Sequence, residues 1–509
     1  MSTRLLKDLI LNMDTYAPDS EVIIGLVTPV GVNYDDISSR FETFLTRYRY
    51  KLNWLHLSKL MAELIENGEV GFVSEDERLQ NAMALGNRLR KDYKRDDIMA
   101  LVAINSILSK REREADRSKP LFRTAHIIRS LKHPDEVETL RTVYGKGFVL
   151  IGITADEESR IKYLMEQKGI ETREKAQELI ERDDRENDLS TEYGEHGQST
   201  RDVFQLSDFF LTIDTVEEFD EQLQRILSIL FAKPVVSPNL DEYAMFLAYA
   251  ASLRSADLSR QVGAVVVGVS GDIISTGAND VPQKGGGLYW PGINDQRDYV
   301  KGCDTNEQEK KAISLKILKE FDAYNNTVSE DENYKIAKKR LKQTGILDIT
   351  EYGRAVHAEM EALMSAARTG ISVLGATLYT TTFPCHNCAK HIVAAGVGKV
   401  VFIEPYPKSF ATKLHSDSIK VDRFNGDETK VHFYPFAGVG PRKFIDLFSM
   451  KLGNGRKLIR KSAGHLADWK RETAELRIPL VPLSYLESEF ILDAELQDIL
   501  QEHKDKQND

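Results

Sequence analysis

The residues best suited to chemistry form two short runs: His357-Ala358-Glu359 and, beginning 25 residues after Glu359, Pro384-Cys385-His386-Asn387-Cys388. One imidazole and two thiolates are three of the four donors that zinc takes in a tetrahedral site, and a fourth position left to water separates a catalytic site from a structural one. Water held there has a pKa that falls from about 15.7 towards roughly 7 in favourable sites, so hydroxide is available at neutral pH. Glu359 lies two residues beyond His357, where it can face that water without binding the metal, and a carboxylate so placed shuttles protons. The chemistry implied is hydrolysis. The structural alternative makes Cys385 and Cys388 half of a closed four-ligand knuckle with Cys303 as a third thiolate, but Cys303 sits in an inserted region and the chain has no second CxxC. His386 and His391 read as hydrogen-bonding or surface residues. Three cysteines give no disulfide framework and suit a reducing compartment.

Each run opens a helical pattern after a turn or strand, so the ligands are expected at helix amino termini, whose unpaired amides and dipole favour thiolate and oxyanion. The local order reads helix, strand, helix, strand: HAEMEALMSAAR, ATLYTTTF, CHNCAKHIVAAG, KVVFIE. Upstream, a helix (DEYAMFLAYAASLR) precedes a hairpin in which VGAVVVGV and DIISTGAN flank Ser270-Gly271. Residues 281–352 interrupt this core with PQKGGGLYWPG and a charged helical stretch around Glu307–Leu347, and the core resumes at Val356.

Towards the amino terminus, EVIIGLV runs into TPVGVN and then a helical pattern from Asp35, a strand, glycine loop and helix. Further apolar runs at 126–131, 148–153 and 208–213 alternate with helical stretches, including one opened by Pro134, and imply a parallel-sheet α/β domain. A working P-loop reads GxxxxGK[ST]. Here Gly25 and Gly31 are one residue too far apart, and valine and asparagine replace the lysine and hydroxyl, so phosphoryl transfer is not expected. Backbone amides at Gly25 and Gly31 could still cradle a nucleotide phosphate; the alternative is a glycine turn that only packs the domain. The boundaries expected are a domain over 1–230, a linker over 231–240 (FAKPVVSPNL), a second domain over 241–450 and a helical extension over 451–509.

A chain of 509 residues suggests more than one core. A net charge of -11 argues against a protein built to coat polynucleotide phosphates. No apolar run approaches a membrane span, and MSTRLLKDLILNMD does not read as a secretory signal, so a cytoplasmic protein is expected.

HxE with PCxxC is the zinc deaminase signature. Over about residues 241–445, RSADLSRQVGAVVV, GAND, HAEMEAL and FPCHNCAKHIVAAGVGKVVFIE resemble the deoxycytidylate deaminase branch of the cytidine deaminase fold. With the kinase-like amino-terminal part, the layout resembles bacterial anti-phage dCTP/dCMP deaminases, which deplete deoxycytidine nucleotides during infection. The resemblance implies a P-loop kinase-like parallel-sheet domain joined to a three-layer α/β/α deaminase domain. It implies hydrolysis of free dCTP and dCMP to dUTP and dUMP plus ammonia, with Zn2+ on His357, Cys385 and Cys388 and Glu359 as proton shuttle. It also implies substrate contacts at Asn279, Arg260, Ala358, Phe383, Tyr406 and Lys408, nucleotide effectors (dCTP, dTTP) with Mg2+ as their candidate companion, and a homo-oligomer; regulatory RNA or protein is a further candidate partner. A housekeeping dCMP deaminase and an RNA or single-stranded DNA deaminase are the alternatives.

Overall fold

The run Val22–Val27 is apolar at nearly every position, and all six residues are buried, the pattern of a strand covered on both faces. The computed structural model describes residues 19–64, 75–114, 116–185, 199–406, 409–421 and 429–508, and in it this run is β1 of a parallel sheet. With β2 (Lys51–His56), β3 (Thr124–Arg129), β4 (Phe148–Thr154) and β5 (Phe209–Thr212), the order is β5-β4-β1-β3-β2. A two-residue strand, Gly438–Val439, adds antiparallel to β5. The order reverses at β1, so the loop leaving its carboxyl end stands at the sheet's switch point. The helix after that loop, Tyr34–Thr46, is capped by Asn33, whose side chain accepts from the Asp35 and Asp36 amides. Helix Pro134–Tyr144 starts with proline and a reciprocal cap between His133 and Glu136.

The chain divides into two compact units, the first made of the described residues of Met1–Asn239 and Ala437–Asp509, the second of Leu240–Phe436. The division differs from the expected one in the stretch read as a linker and at the carboxyl-terminal end of the second unit. Phe231, read as the start of the linker, belongs to the first core: it stacks on Tyr48 with ring centroids 4.1 Å apart, and its carbonyl accepts from Trp469 Nε1. Likewise the chain rejoins the first unit at Ala437, before the expected 450, because Gly438–Val439 completes its sheet and Val439, Leu447 and Leu476 enter its core. Residues beyond 451 fall in the same unit, and Ala474 and Leu476 among them lie in its core.

A charged cluster ties this returning segment down. Arg111, fully buried, donates to Glu21 at 2.7 Å and to Glu489 of helix Pro482–Asn508. Tyr485 donates to Glu21 at 2.9 Å and Tyr144 to Glu489 at 2.7 Å. Burial works against ionising Glu21, yet His126 and Arg111 hold it down to about 2. Burial pushes Glu489 up to about 7, so Glu21 is the firmly ionised partner of the guanidinium.

The second unit is built on a mixed sheet of β6 (Gly263–Val267), β7 (Ile273–Ala278), β8 (Thr377–Thr382), β9 (Lys399–Glu404), β10 (Ile419–Val421) and β11 (Val431–Pro435), in the order β10-β11-β9-β8-β6-β7. The β6–β7 hairpin and the β6–β8 pair are antiparallel and the rest parallel. Two glycines let helices touch the sheet. A Cβ on Gly263 would lie 1.9 Å from the Ala248 carbonyl of helix Leu240–Ser252, and one on Gly277 would lie 2.1 Å from the Ala358 carbonyl of helix Ala358–Thr369. Gly277 pairs with Ala264, the neighbour of Gly263, and successive residues face opposite sides, so the two helices cover opposite faces in a three-layer arrangement. Within 281–352 the charged stretch forms helices Thr305–Glu320 and Glu330–Leu341, which pack on each other. Among the described residues no helix is long and apolar enough to cross a membrane.

Two stability outcomes follow from these contacts. Gly277→Ala should cost about 3 kcal/mol, since its Cβ meets backbone that cannot rotate away; an unchanged unfolding midpoint would contradict the close-docking argument. Arg111→Met should cost about 3–5 kcal/mol in denaturant titration because Glu21 loses its buried counter-charge, whereas a loss below about 1 kcal/mol would class the cluster with surface ion pairs.

Candidate functional site

His357 is the cap residue before helix Ala358–Thr369, and Cys385 caps helix His386–Ala394, its sulfur accepting from the Cys388 amide. An isolated antiparallel bridge between Asp280 and Val356 holds the chain entering His357. Both helices therefore point their amino termini, with unpaired amides, at one place. There His357 Nδ1 lies 3.3 Å from Cys385 Sγ and 3.4 Å from Cys388 Sγ, and the three donor atoms all fall within 4.8 Å of one another. Tetrahedral zinc, with bonds of about 2.0–2.3 Å, needs donors separated by much the same distance, so the donor set fits that ion. Among the described residues Cys303 is not part of the group, which removes the four-ligand knuckle that would have used it.

The protonation pattern points the same way. The bond from Cys388 draws the Cys385 thiol down to about 4, with His357 adding to the pull, and the bond to Cys385 lifts His357 to about 9. That same thiolate, together with burial, holds Cys388 well above the usual thiol range. Metal ligands bind deprotonated, so a divalent cation bound here would displace protons from this group. Burial raises Glu359 above the ordinary carboxylate range; the residue is 4% exposed, and Cys388 Sγ lies 3.5 Å from its Oε2.

A cavity of about 310 Å³ reaches this point, lined there by His357, Ala358, Glu359 and Cys385; Cys388 is buried. Arg260, Asn279, Phe383 and Tyr406 also line it. Phe383 is fixed edge-on to Phe402, with centroids 4.9 Å apart. Asn279 has most of its amide committed to backbone: Oδ1 accepts from Val262 N at 2.7 Å and Nδ2 donates to Arg260 O at 2.9 Å, so it shapes the loop over the cavity. The half-exposed Arg260 lies 3.4 Å from Glu404 and 5.4 Å from the Tyr406 ring centroid. Lys408 lies outside the described residues.

Sequence reasoning missed the wall that the insertion supplies. Asp298, Asp304, Asn306, Glu307, Lys310 and Thr350 line the cavity, joined by Arg354. Arg354 stands three residues before His357, a position that could have drawn attention; nothing local to Lys310 could have.

In the first unit the two glycines part company. Gly25 lies inside β1, where a Cβ would meet Leu131 and Phe148 at 2.6 and 2.9 Å; it serves sheet packing and is not in the loop. Gly31 takes φ +89° against Arg160. The loop's polar groups are taken up internally: Val30 N donates to Asp183 Oδ2 at 2.7 Å, Lys132 Nζ bonds Asp183 Oδ1 and Thr28 O at 2.9 and 3.0 Å, and Arg160 Nε bonds Val30 O at 2.7 Å. A buried carboxylate already occupies the amide a phosphate would use. Beside the loop, a cavity of about 190 Å³ is lined by Tyr34, Met83, Arg129 and Lys168 among others.

The family model for the cytidine and deoxycytidylate deaminase zinc-binding region matches residues 238–404. Deoxycytidylate deaminase of Enterobacteria phage T4 is 32% identical over 172 residues, spanning 32% of this chain and 77% of that protein. The human deoxycytidylate deaminase is 27% identical over 205 residues, 40% of this chain and 79% of that protein. The dCMP deaminase of cyanophage S-TIM5 aligns in structure with a TM-score of 0.22 and 21% identity, over 39% of this chain and 99% of that chain. With a model for the zinc-binding region laid over both ligand runs and a relative this similar covered over three quarters of its length, the chain belongs to the deoxycytidylate deaminase family, as a hydrolase with a zinc-binding deaminase domain.

Proposed function

We propose that this protein hydrolytically deaminates free deoxycytidine nucleotides, dCTP and dCMP, to the deoxyuridine nucleotides and ammonia, and so drains dCTP in anti-phage defence. The observation that carries the reading is the placement of Glu359 on the cavity floor beside His357 and Cys385. Bound by His357, Cys385 and Cys388, zinc would supply a Lewis acid that makes hydroxide available at neutral pH. The remaining work belongs to the chain. Glu359 takes the proton of the attacking water, and its burial makes the protonated form easy to hold. It then gives a proton to ring nitrogen 3 of cytosine and to the departing amine. Phe383 and Tyr406 flank the base, Ala358 offers backbone beside it, Asn279 approaches the sugar and Arg260 the phosphate; Lys408 is a further phosphate candidate.

A polynucleotide deaminase needs a basic, aromatic-lined groove, and the acidic residues of this mouth, Asp257, Asp298, Asp304 and Glu307, favour a free nucleotide. The anti-phage assignment is supported by the joining of a deaminase unit to a parallel-sheet unit with a degenerate glycine loop. In this reading the first unit is kinase-like in descent, lacks phosphoryl transfer and restrains the enzyme, through the cavity beside Gly31, with nucleotide and Mg2+, or through RNA, a protein or a homo-oligomer contact in the cytoplasm.

Purified protein offered dCMP, dCTP, cytidine and a cytosine-bearing oligonucleotide should form uracil products from the free deoxynucleotides, resolved by chromatography; turnover confined to the oligonucleotide would overturn the substrate assignment. Glu359→Ala should retain zinc and lose about 10²- to 10⁴-fold in kcat. Near-normal turnover in the zinc-loaded variant would remove Glu359 from the mechanism.

A further inference from the structure

A nucleotide substrate carries its negative charge at one end, and the cavity holds few cations to receive it. Apart from His357, those lining it are Arg260, Lys310 and Arg354. Arg260 is half exposed on the loop that precedes β6. Lys310 and Arg354 are different: their side chains are 17% and 27% exposed, and Lys310 comes from the insertion while Arg354 follows it directly. We propose that Lys310 and Arg354 form a phosphate wall and that the insertion is a built part of the substrate site, there to grip the phosphate tail of a deoxycytidine nucleotide. This rests on the deaminase reading above and names the residues that would make it selective for nucleotides over nucleosides.

The charge arrangement supports such a role. Lys310 Nζ lies 2.9 Å from Glu307 and 3.3 Å from the Leu347 carbonyl. Glu307 is shared: Lys338 meets it at 3.0 Å and the Tyr334 hydroxyl donates to it at 2.7 Å. Although burial opposes its ionisation, these donors hold Glu307 down to about 2. Lys338 shares Glu307 with Lys310, so that carboxylate does not belong to Lys310 alone, and the packed helix pair Thr305–Glu320 and Glu330–Leu341 fixes Lys310 in place among the acidic residues of the mouth. Arg354 spends two of its five donors, one on Asp298 at 2.6 Å and one on the Gln296 carbonyl at 3.0 Å. Those bonds orient the planar fork, and a guanidinium held this way suits phosphate oxygens. Asp298 and Glu307 then act as positioning residues for the two cations.

Steady-state kinetics of the full zinc-loaded chain on deoxycytidine, dCMP and dCTP test this, for wild type and for Lys310→Met, Arg354→Gln and Arg354→Lys. Wild type should prefer the nucleotides to deoxycytidine. Lys310→Met and Arg354→Gln should raise the nucleotide KM about tenfold or more, the loss of one charge-assisted bond, with kcat moving much less, and Arg354→Lys should recover part of the loss. A larger rise for dCTP than for dCMP would put Lys310 at the outer phosphates; equal rises would put it at the first. Unchanged nucleotide KM in both variants overturns the assignment, as does a wild type equally efficient on deoxycytidine and dCMP. Zinc content and unfolding midpoint report folding, and if Arg354→Gln fails to fold, Lys310→Met decides alone. A wild type silent on all three substrates instead sinks the deaminase reading, and the phosphate wall falls with it.

Discussion

Everything at the site depends on holding one imidazole and two sulfurs closer together than water-exposed side chains would stay. That crowding is imposed by backbone. Two helices begin at the ligands themselves, and one of them can approach the sheet only because Gly277 has no side chain. The hydrogen bond from the Cys388 amide to Cys385, the bridge between Asp280 and Val356, and the burial of Ala358 all serve the same end. A metal then answers an electrostatic problem the fold has already set, since the cluster otherwise holds protons it can give up only at the expense of a buried charge.

Around that point the second unit divides its labour by distance along the chain. The floor comes from the two motifs, the aromatic side from the ends of β8 and β9, and the charged mouth, Arg354 apart, from residues far from either in sequence. Asn279 illustrates how indirect such contributions are: its amide ties the Arg260–Val262 loop to the end of β7, and the cavity gains its shape from that tie.

The meeting of His357, Cys385 and Cys388 was legible in the sequence because it is largely local: the three-residue spacing of the two cysteines at a helix start fixes how their sulfurs lie. The apolar runs of β1, β4 and β5 were legible because they are covered on both faces. β2 was not, since Lys51–His56 is an edge strand whose residues are mostly half-buried and mixed in polarity. The glycine loop misled in part: Gly25 looked like a phosphate residue but answers to Leu131 and Phe148, contacts made by β3 and β4 neighbours that no local pattern reveals. Lys310 was invisible for the same reason. Its place at the cavity depends on how a charged helix pair folds back, and charge on such helices reads in sequence only as solubility.

The first unit's buried guanidinium joins Glu21 to Glu489, partners separated by most of the polypeptide. In between, the second unit is one uninterrupted stretch of chain. A ribosome therefore finishes the deaminase core while Arg111 and Glu21 still wait for their final neighbour, and the earlier-made unit is the later one to close. Contacts of such long sequence separation are slow to form, so the first unit's core is complete only once Gly438–Val439 has paired with β5 and the last helix has met Arg111.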